Sequence, residues 1–498
     1  MRTRGILVAF FLCFSLSLFA EEPFQFKIEE VTYQIKGMTR EFPLSQRVPV
    51  DTKRIFTSEA QLEVYMENLR VRLENERVLE KGSVEYRIGD EDAGGIRKVF
   101  VTIYTVDTWN IIALPYPSFD SNDGFTLKLK GKDYNFMGSM ETLNVDLNYN
   151  VDNDGKSSIT SNLSFAIPFK LRQFPASWDI DVSLEFPVDE KPYIDIGTGF
   201  SFKVPFLNTS FNFGLDHSFI FNDRDDDDIL YEDDAFYLKD SFSVSLPFIL
   251  NRFEYAGDLN WTPYGSISVR WVPGGVIDDT DLQGPAFSVG HKVSLSRIDW
   301  QGNYRKGFSF VVDNSYSVNI AHDTPLSSAI SFSASGYTNW KRRAGINSRL
   351  KGLFNFNENT TDEPAQQMRG ILNSRIDTDT AVYANLDLPV TVLSVDFVEV
   401  TGVAWTRFIG FEMQFSPFLD MALTHDLETD RYFSFQDAWY STGLEVLVYP
   451  SRMRSIYVRA SLGLDLEEMM KNGFNLSARA ERDGASAREI FIGLGLHY

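Results

Sequence analysis

The sequence ends in Glu489-Ile490-Phe491-Ile492-Gly493-Leu494-Gly495-Leu496-His497-Tyr498, and this stretch decides the predicted fold. Successive side chains of a strand point to opposite faces, so Ile492, Leu494, Leu496 and Tyr498 share one apolar face. The chain ends of soluble domains are often poorly ordered. A membrane β-barrel, by contrast, needs a last strand that pairs with its first strand and leaves no open edge in lipid. Taken alone, this stretch fits a closed barrel and a soluble β-sandwich about equally.

The composition favours the barrel. Of the 498 residues, 43% are hydrophobic and 14% are aromatic, with 42 Phe, yet the mean hydropathy is only -0.19. This mean hydropathy is too low for a bundle of membrane helices. It is compatible with a barrel, because a barrel strand presents only alternate residues to lipid. The formal net charge of -22 argues against nucleic acid and anionic membrane surfaces as partners.

Residues 1–20 have the features of a secretory signal peptide. Arg2 and Arg4 precede an apolar run from Ile6 to Phe19, and Ala20 is the expected cleavage position. The run is shorter than the ~20 residues of a membrane-spanning helix. The single cysteine, Cys13, lies in this segment, so we expect a mature chain without disulfides, thiol catalysis or cysteine-bound metal.

Residues 21–108 are predicted to form a small α+β domain. Ser58 and Gln61 make a capping-box pattern at the start of a helix. Apolar residues then recur every three or four positions, at Leu62, Met66, Leu69 and Leu73. The predicted elements are, in order, a strand over Phe26–Ile35, a short helix within Phe42–Phe56, the helix from Ser58, and strands over Ser83–Ile88 and Lys98–Val106.

From Trp109 to Tyr498 the hydrophobic pattern has a period of two. Leu143–Val151 and Trp178–Phe186 are examples of runs with about the ~10 residues that cross hydrocarbon when tilted. Short connections alternate with long acidic ones such as Asn222–Asp234, which is typical of outer-membrane barrels. We therefore predict an all-β transmembrane barrel over residues 109–498, with about 16 antiparallel strands and 18 as the alternative.

Three stretches resemble the BamA/TamA superfamily of outer-membrane assembly and translocation barrels. Asp133-Tyr134-Asn135-Phe136-Met137-Gly138-Ser139 is similar to the Asn-aromatic-x-Gly turn after the second barrel strand, which makes Asn135 and Gly138 parts of a periplasmic turn. Met368-Arg369-Gly370-Ile371 is similar to the hydrophobic-Arg-Gly-aromatic tip of a loop that folds back into the lumen. Phe418-Leu419-Asp420-Met421-Ala422 resembles a Phe-x-Asp-x-Gly motif on the inner wall.

The resemblance covers nearly the whole mature chain. Asn385-Leu386-Asp387-Leu388-Pro389 is similar to the Asn-x-Glu-x-Arg-x-Pro strand that follows the loop. Residues 21–108 are similar to one POTRA domain, the periplasmic docking module of these proteins. A single such domain indicates a short, divergent member of the family.

The resemblance implies that Arg369 pairs with Asp420 inside the lumen, with Asp387 as the second carboxylate and Phe418 beside them. A guanidinium that loses its water needs a carboxylate partner, and Arg can pair with both oxygens at once. Without the resemblance, Arg369 would be interpreted as an ordinary loop cation.

The last strand is expected to pair with a first strand near Trp109–Phe119, which contains Pro115 and Pro117. Proline removes a donor from the hydrogen-bond ladder. A weak seam opens sideways, and an incoming strand can then add to its edge by β-augmentation. The alternative is an irregular seam that never opens.

These observations predict a protein of the bacterial outer membrane with its N-terminal domain in the periplasm. The expected function is insertion of outer-membrane proteins or translocation of proteins across the membrane, without catalysis, metal or cofactor. The expected partners are outer-membrane lipid, unfolded outer-membrane or secreted proteins, and periplasmic accessory proteins that bind the POTRA-like domain; nucleic acid is not among them. The alternatives are a passive channel and an outer-membrane hydrolase that uses His322-Asp323 or His425-Asp426.

Overall fold

The computed structural model describes residues 24–494 with internal gaps. The gaps are residues 93, 189–190, 208, 222–235, 272–284, 321–325, 357–366, 404–409, 428, 452–456, 474 and 481–483. The predicted signal peptide, the pair His322-Asp323, and Leu496 and Tyr498 lie outside the described residues. The chain divides into two compact units between Thr108 and Trp109.

The first unit is a four-stranded mixed sheet with two helices. Its strands follow the order β2-β1-β4-β3, in which β1 and β4 are parallel and the other pairs are antiparallel. The elements are β1 (Gln25–Lys36), α1 (Glu41–Arg47), β2 (Ile55–Phe56), α2 (Glu59–Asn75), β3 (Leu79–Glu91) and β4 (Ile96–Asp107).

Helix α2 begins where the capping pattern predicted. The Ser58 hydroxyl accepts a hydrogen bond from the Gln61 backbone N–H at 3.3 Å, and the Gln61 side chain accepts one from the Thr57 N–H at 3.2 Å. The reciprocal bond of the capping box therefore lies one residue earlier than expected. The predicted apolar stripe of α2 is buried, and it forms the core of this unit together with strand residues such as Ile28 and Ile103.

The second unit is a closed antiparallel barrel. Its segments are β5 (Ile111–Asp120), β6 (Gly124–Asp133), β7 (Leu143–Val151), β8 (Ser157–Leu171), β9 (Phe174–Pro187), β10 (Tyr193–Phe206), β11 (Thr209–Phe221), β12 (Phe236–Ser245), β13 (Phe248–Phe253), β14 (Gly257–Trp271), β15 (Ala286–Gln301), β16 (Tyr304–Asn319), β17 (Ser327–Trp340), β18 (Ala344–Phe356), β19 (Thr380–Asp387), β20 (Val390–Val395), β21 (Phe411–Asp426), β22 (Arg431–Tyr432), β23 (Trp439–Pro450), β24 (Val458–Asp465) and β25 (Arg488–Leu494). Two short helices lie between strands, α3 (Phe397–Thr401) and α4 (Leu466–Lys471).

These segments make 18 barrel strands. Segments β12 and β13 pair with successive parts of β14, and β19 and β20 with successive parts of β21, so each pair is one strand interrupted near a proline, Pro247 or Pro389. Segment β22 extends a loop by pairing with the end of β21. The alternative of 18 is confirmed and the preferred count of about 16 was wrong, because alternation alone does not show where one strand turns into the next. The two-residue turn at Gly302-Asn303, for example, joins β15 to β16.

The helices described here include none with the length and apolar character needed to cross a membrane.

The two faces of the barrel differ in exposure. On β21, Phe418 and Asp420 are buried, whereas Leu419 between them is 47% exposed. On β6, Leu127 and Leu129 belong to a similar exposed apolar row. The buried residues of β21 face the interior, where a loop covers them.

Residues Asn135 and Gly138 lie in the turn between β6 and β7. The Asn135 side-chain oxygen accepts a hydrogen bond from the Met140 N–H at 2.9 Å. Gly138 has a φ of +71°, in the left-handed region that favours glycine.

Candidate functional site

The segment Gln367–Ile376, which we name the interior loop, connects β18 to β19 inside the barrel. Met368, Arg369 and Ile371 are almost completely buried. Met368 and Ile371 pack into an apolar cluster with wall residues of β19 and β21, among them Tyr383. The gap at residues 357–366 precedes the loop.

Arg369 fastens the loop to the inner wall. Its Nε and Nη2 atoms donate to the two oxygens of Asp420, at 2.9 and 2.7 Å, and its backbone N–H donates to the same carboxylate at 3.0 Å. The guanidinium carbon lies 3.8 Å from the centre of the Phe418 ring. The geometry is the paired fork that Arg and a carboxylate form when both are withdrawn from water, and the ring adds a cation–π contact.

Two further carboxylates neutralise the same guanidinium. Nη1 of Arg369 lies 2.7 Å from Asp387 and 3.3 Å from Glu445. Glu445 also pairs with Arg459 at 3.2 Å, and Arg459 lies over the ring of Phe491 on the last strand. The structure thus brings together the predicted Arg369, Asp387, Asp420 and Phe418, and adds Glu445 and Arg459, which the sequence analysis missed.

The charges of this cluster depend on one another. Burial acts to lower the pKa of Arg369, but the hydrogen bonds to Asp420 and the charges of Asp387 and Glu445 raise that pKa well above its ordinary value. Removing one partner of a buried ion pair leaves the other charge uncompensated, which typically costs about 3–5 kcal/mol. The loop is therefore held firmly as long as the whole cluster is intact.

Gly370 allows the loop backbone to contact the wall backbone. Its φ is +88°, and a Cβ atom at this position would lie 2.6 Å from the Leu464 nitrogen. A Cβ on Gly463 would lie 2.4 Å from the Gly370 nitrogen. The two glycines therefore face each other across a contact that no other residue pair could make without displacement. The sequence analysis singled out Gly370 but not Gly463.

The seam between β25 and β5 has a short ladder. Within the described residues, two pairs are in register, Phe491 with Asp120 and Ile492 with Phe119. The side chain of Ser118 adds a hydrogen bond to the Ile492 carbonyl at 2.9 Å. Ile492 is 46% exposed on the outer face and Leu494 is half-buried, whereas Leu496 and Tyr498 lie beyond the described part of β25.

The tip of the interior loop is bonded to both sides of this seam. The Gly370 N–H donates to one oxygen of Glu489 on β25 at 2.5 Å, and the Asn122 side chain donates to the other at 3.1 Å. Asn122 lies in the turn between β5 and β6, and its side-chain oxygen accepts from the Asn373 N–H at 2.7 Å. We name Asn122, Gly370, Asn373 and Glu489 the seam clasp. Of these four residues, Glu489 is the one that the sequence could have pointed to, because it is a charged residue on the inward row of the last strand.

The His425-Asp426 pair considered for hydrolysis is not a pair in the structure. His425 Nδ1 lies 2.8 Å from Asp379, its Nε2 lies 3.1 Å from Asp430, and its ring stacks on Tyr432. The carboxylate of Asp426 instead accepts a hydrogen bond from the Thr429 N–H. Both ring nitrogens of His425 thus lie within hydrogen-bond distance of carboxylates other than Asp426.

No protein-family model and no curated protein sequence matches the chain. Solved structures do match it. CdiB from Acinetobacter baumannii aligns with a TM-score of 0.50 and 12% identity, over 94% of this chain and 73% of that one. CdiB from Escherichia coli aligns with a TM-score of 0.50 and 11% identity, over 95% and 76% of the two chains. BamA from Haemophilus ducreyi lacking POTRA domains 1-3 aligns with a TM-score of 0.41 and 11% identity, over 94% and 85%.

The two CdiB structures are similar at the level of the fold. They have too little sequence identity to this chain to transfer a role to any residue. The closed barrel of 18 strands and this similarity bear out the predicted barrel fold. At the level of the fold, the chain is therefore similar to the two CdiB barrels.

Proposed function

We propose that this protein inserts unfolded proteins into the bacterial outer membrane, or translocates them across it, by opening the seam between β25 and β5. The observation that carries the proposal is the seam clasp, through which a loop fixed inside the barrel holds both edges of a short ladder. A barrel that only conducts solutes has no need for a loop bonded to its own first and last strands. The fold shared with CdiB supports the same role.

The outer surface supports a location in the membrane. Leu127, Leu147 and Leu419 are examples of apolar side chains that are nearly half exposed on the outward rows of their strands. Monomeric soluble proteins rarely expose apolar surface of this extent. A band of outward apolar residues is the surface that a barrel presents to lipid.

Opening requires few bonds to break. The two ladder pairs, the hydrogen bonds of Ser118 and Ser121 to β25, and the bonds by which the seam clasp links the two sides must separate, while the Arg369–Asp420 pair can stay intact. The freed edges of β5 and β25 then present unpaired backbone groups, and a client strand satisfies them by β-augmentation. Pro115 and Pro117 on β5 lack N–H donors, which limits how tightly β25 pairs with that strand when the barrel is closed.

The first unit is proposed to be a POTRA-like periplasmic domain. It precedes the barrel in the chain, and β3 forms one edge of its sheet. A strand edge of this kind can bind an extended segment of a client or an accessory protein.

A disulfide across the seam tests the proposal. Asp120 and Phe491 are register partners, and the chain has no cysteine besides Cys13, so D120C combined with F491C gives a defined crosslink. After depletion of the native protein, we expect the oxidised variant to leave its clients missing from the outer membrane or the cell surface. Reduction of the disulfide should restore them. The D120C and F491C single variants, under the same oxidant, are the controls.

The competing hypothesis of a passive channel makes the opposite prediction. A conducting lumen does not need its seam to open, so the oxidised double variant would support the same protein inventory as the wild type. That result, with the crosslink verified in the membrane, would overturn the proposed function.

A further inference from the structure

A row of polar residues crosses the lipid-facing side of the barrel, away from the seam. Strands β10, β11 and β12 present almost continuous apolar rows outward, and each row is interrupted at the same level. Thr198 is in register with His217, and His217 is in register with Asp240. We name these three residues the outer polar row. Strands β6 to β9 and β15 to β24 separate this region from the seam on its two sides.

The outer polar row is an organised hydrogen-bond network. His217 Nδ1 donates to Asp240 at 2.7 Å, and the indole N–H of Trp271 donates to the other oxygen of Asp240 at 2.5 Å. At the opposite end, the indole N–H of Trp178 donates to the Thr198 hydroxyl at 2.9 Å. Two tryptophans thus flank the row and orient its acceptors.

The row lies within the apolar band and not at its edge. Nearer the strand ends, the outward rows continue with residues such as Ile196, Phe219 and Leu238, and on the other side with Phe200 and Phe242. Phe221, at the end of β11, lies four positions after His217. With a rise of ~3.3 Å per residue and a tilt of ~40°, this places the row roughly 10 Å below the end of the strand.

Ionisable groups that face lipid are costly and mark functional sites. The side chains of His217 and Asp240 are nevertheless 49% and 44% exposed on this face. A polar pair held at this level can hydrogen-bond the ester, amide or hydroxyl that links an acyl chain to the rest of a lipid.

A groove accompanies the row. It has a volume of about 540 Å³, and its apolar lining includes Trp178, Phe200, Leu215, Phe242 and Ile267. Apolar walls with a few placed polar groups are typical of small-molecule sites. An acyl chain can lie along the aromatic and aliphatic walls while its linkage reaches the outer polar row.

We propose that this groove binds one lipid of the outer leaflet, with an acyl chain against Phe200 and Phe242 and its linkage hydrogen-bonded to His217 and Asp240. The Asp240 carboxylate accepts from an amide or hydroxyl of the lipid, and Nε2 of His217, whose Nδ1–H is donated to Asp240, accepts from a second amide or hydroxyl. Lipid is the occupant because the outward face of a barrel strand is in contact with lipid along its whole apolar length. The inference rests on the proposed location in the outer membrane.

Native mass spectrometry tests this site. The protein is reconstituted into vesicles of phosphatidylethanolamine and lipid A, and the lipids retained after extraction are counted. We expect the wild type to retain one molecule more than the H217F/D240L double variant, with at least a fivefold difference in the lipid-bound fraction. The double variant replaces both members of the His217–Asp240 pair with apolar residues and so leaves no carboxylate without its partner.

H291F is the matched control. His291 lies on the outward row of β15 with Phe287 and Val289, outside the groove lining, so its replacement should leave lipid retention at the wild-type value. Equal retention by the wild type and the double variant would overturn the inference.

A photoreactive residue at Leu215 provides the second measurement. We expect a lipid adduct in membranes, which the double variant loses. A protein adduct instead of a lipid adduct would also overturn the proposal, because the groove would then be a protein interface.

Insertion into vesicles is scored first by resistance of the folded barrel to sodium dodecyl sulfate. Failure to insert refutes both this site and the proposed function, whereas insertion without lipid retention refutes the site alone and leaves the result of the seam disulfide unaffected.

Discussion

Arg369 joins three strands of the wall through a single side chain. Its partners Asp387, Asp420 and Glu445 come from β19, β21 and β23. Each carboxylate would be costly to bury alone, and each is compensated by the same guanidinium. Loss of Arg369 is therefore different from loss of an ordinary surface charge.

We expect R369A to destabilise the folded barrel by about 3–5 kcal/mol, because three buried carboxylates lose their main counter-charge. The measurement is the denaturant midpoint of the purified protein in detergent micelles. R342A is the control, since Arg342 is exposed in the turn between β17 and β18. Equal midpoints for the two variants would contradict the importance of the cluster.

Substitution of Gly370 tests the close contact between the interior loop and the wall backbone. G370A and G402A both place alanine at a positive φ, of +88° and +69°, which costs roughly 1–2 kcal/mol in each case. Only G370A also brings a Cβ into the Leu464 backbone, because the space beside Gly402 is open within 4 Å. We expect protease cleavage at the interior loop in G370A and not in G402A. Resistance of both variants would show that the close backbone contact is dispensable.

The residues of the site could be predicted from the sequence in part. Arg369, Asp420, Asp387 and Phe418 stood in motifs that resemble a known family. Glu445, Arg459 and Glu489 stood in no motif, and a charged residue on an alternating strand is indistinguishable from one that faces a water-filled lumen. Their proximity depends on strand register, which a period of two does not specify.

The seam clasp joins three elements by hydrogen bonds, namely β25, the β5–β6 turn and the interior loop. E489A removes both acceptors, whereas E489Q keeps one oxygen for either Gly370 or Asn122. We expect amide hydrogen exchange in β5 to become faster in the order wild type, E489Q, E489A, as the seam opens more often.

E399Q is the control for these variants. Glu399 is exposed on α3 and does not belong to the seam clasp. Unchanged exchange in β5 for E489A would mean that the ladder alone closes the seam.

The individual helices and strands could be predicted from the sequence wherever the pattern that specifies them is local. The cap at Ser58 and the apolar stripe of α2 fixed that helix, and alternation identified the barrel strands. The strand count did not follow, because Pro247 and Pro389 interrupt single strands and tight turns such as Gly302-Asn303 leave little trace in the pattern. Local chemistry determines each element, whereas the closure of the barrel depends on pairing across the whole chain.

The whole molecule consists of two units with separate cores. L69A creates a cavity in the core of the first unit, where Leu69 is 1% exposed, and we expect a destabilisation of about 2–5 kcal/mol. Thermal unfolding should show the transition of the first unit at a lower temperature and that of the barrel unchanged.

E63A, on the exposed side of the same helix, is the control for L69A. A shift of both transitions in L69A would show that the two units unfold cooperatively.

The seam clasp joins parts of the chain that are synthesised far apart in time. Asn122 and Glu489 are separated by 367 positions in the chain, and the interior loop that joins them lies in between. During synthesis, the loop therefore emerges when only one of its two attachment points exists. A chain released before Arg488 could bury Arg369 against β21 but could not secure the loop tip, and its first strand would remain open to wrong partners. Docking of the loop tip therefore requires Glu489, so that a product truncated before Arg488 lacks the attachment of the loop to β25.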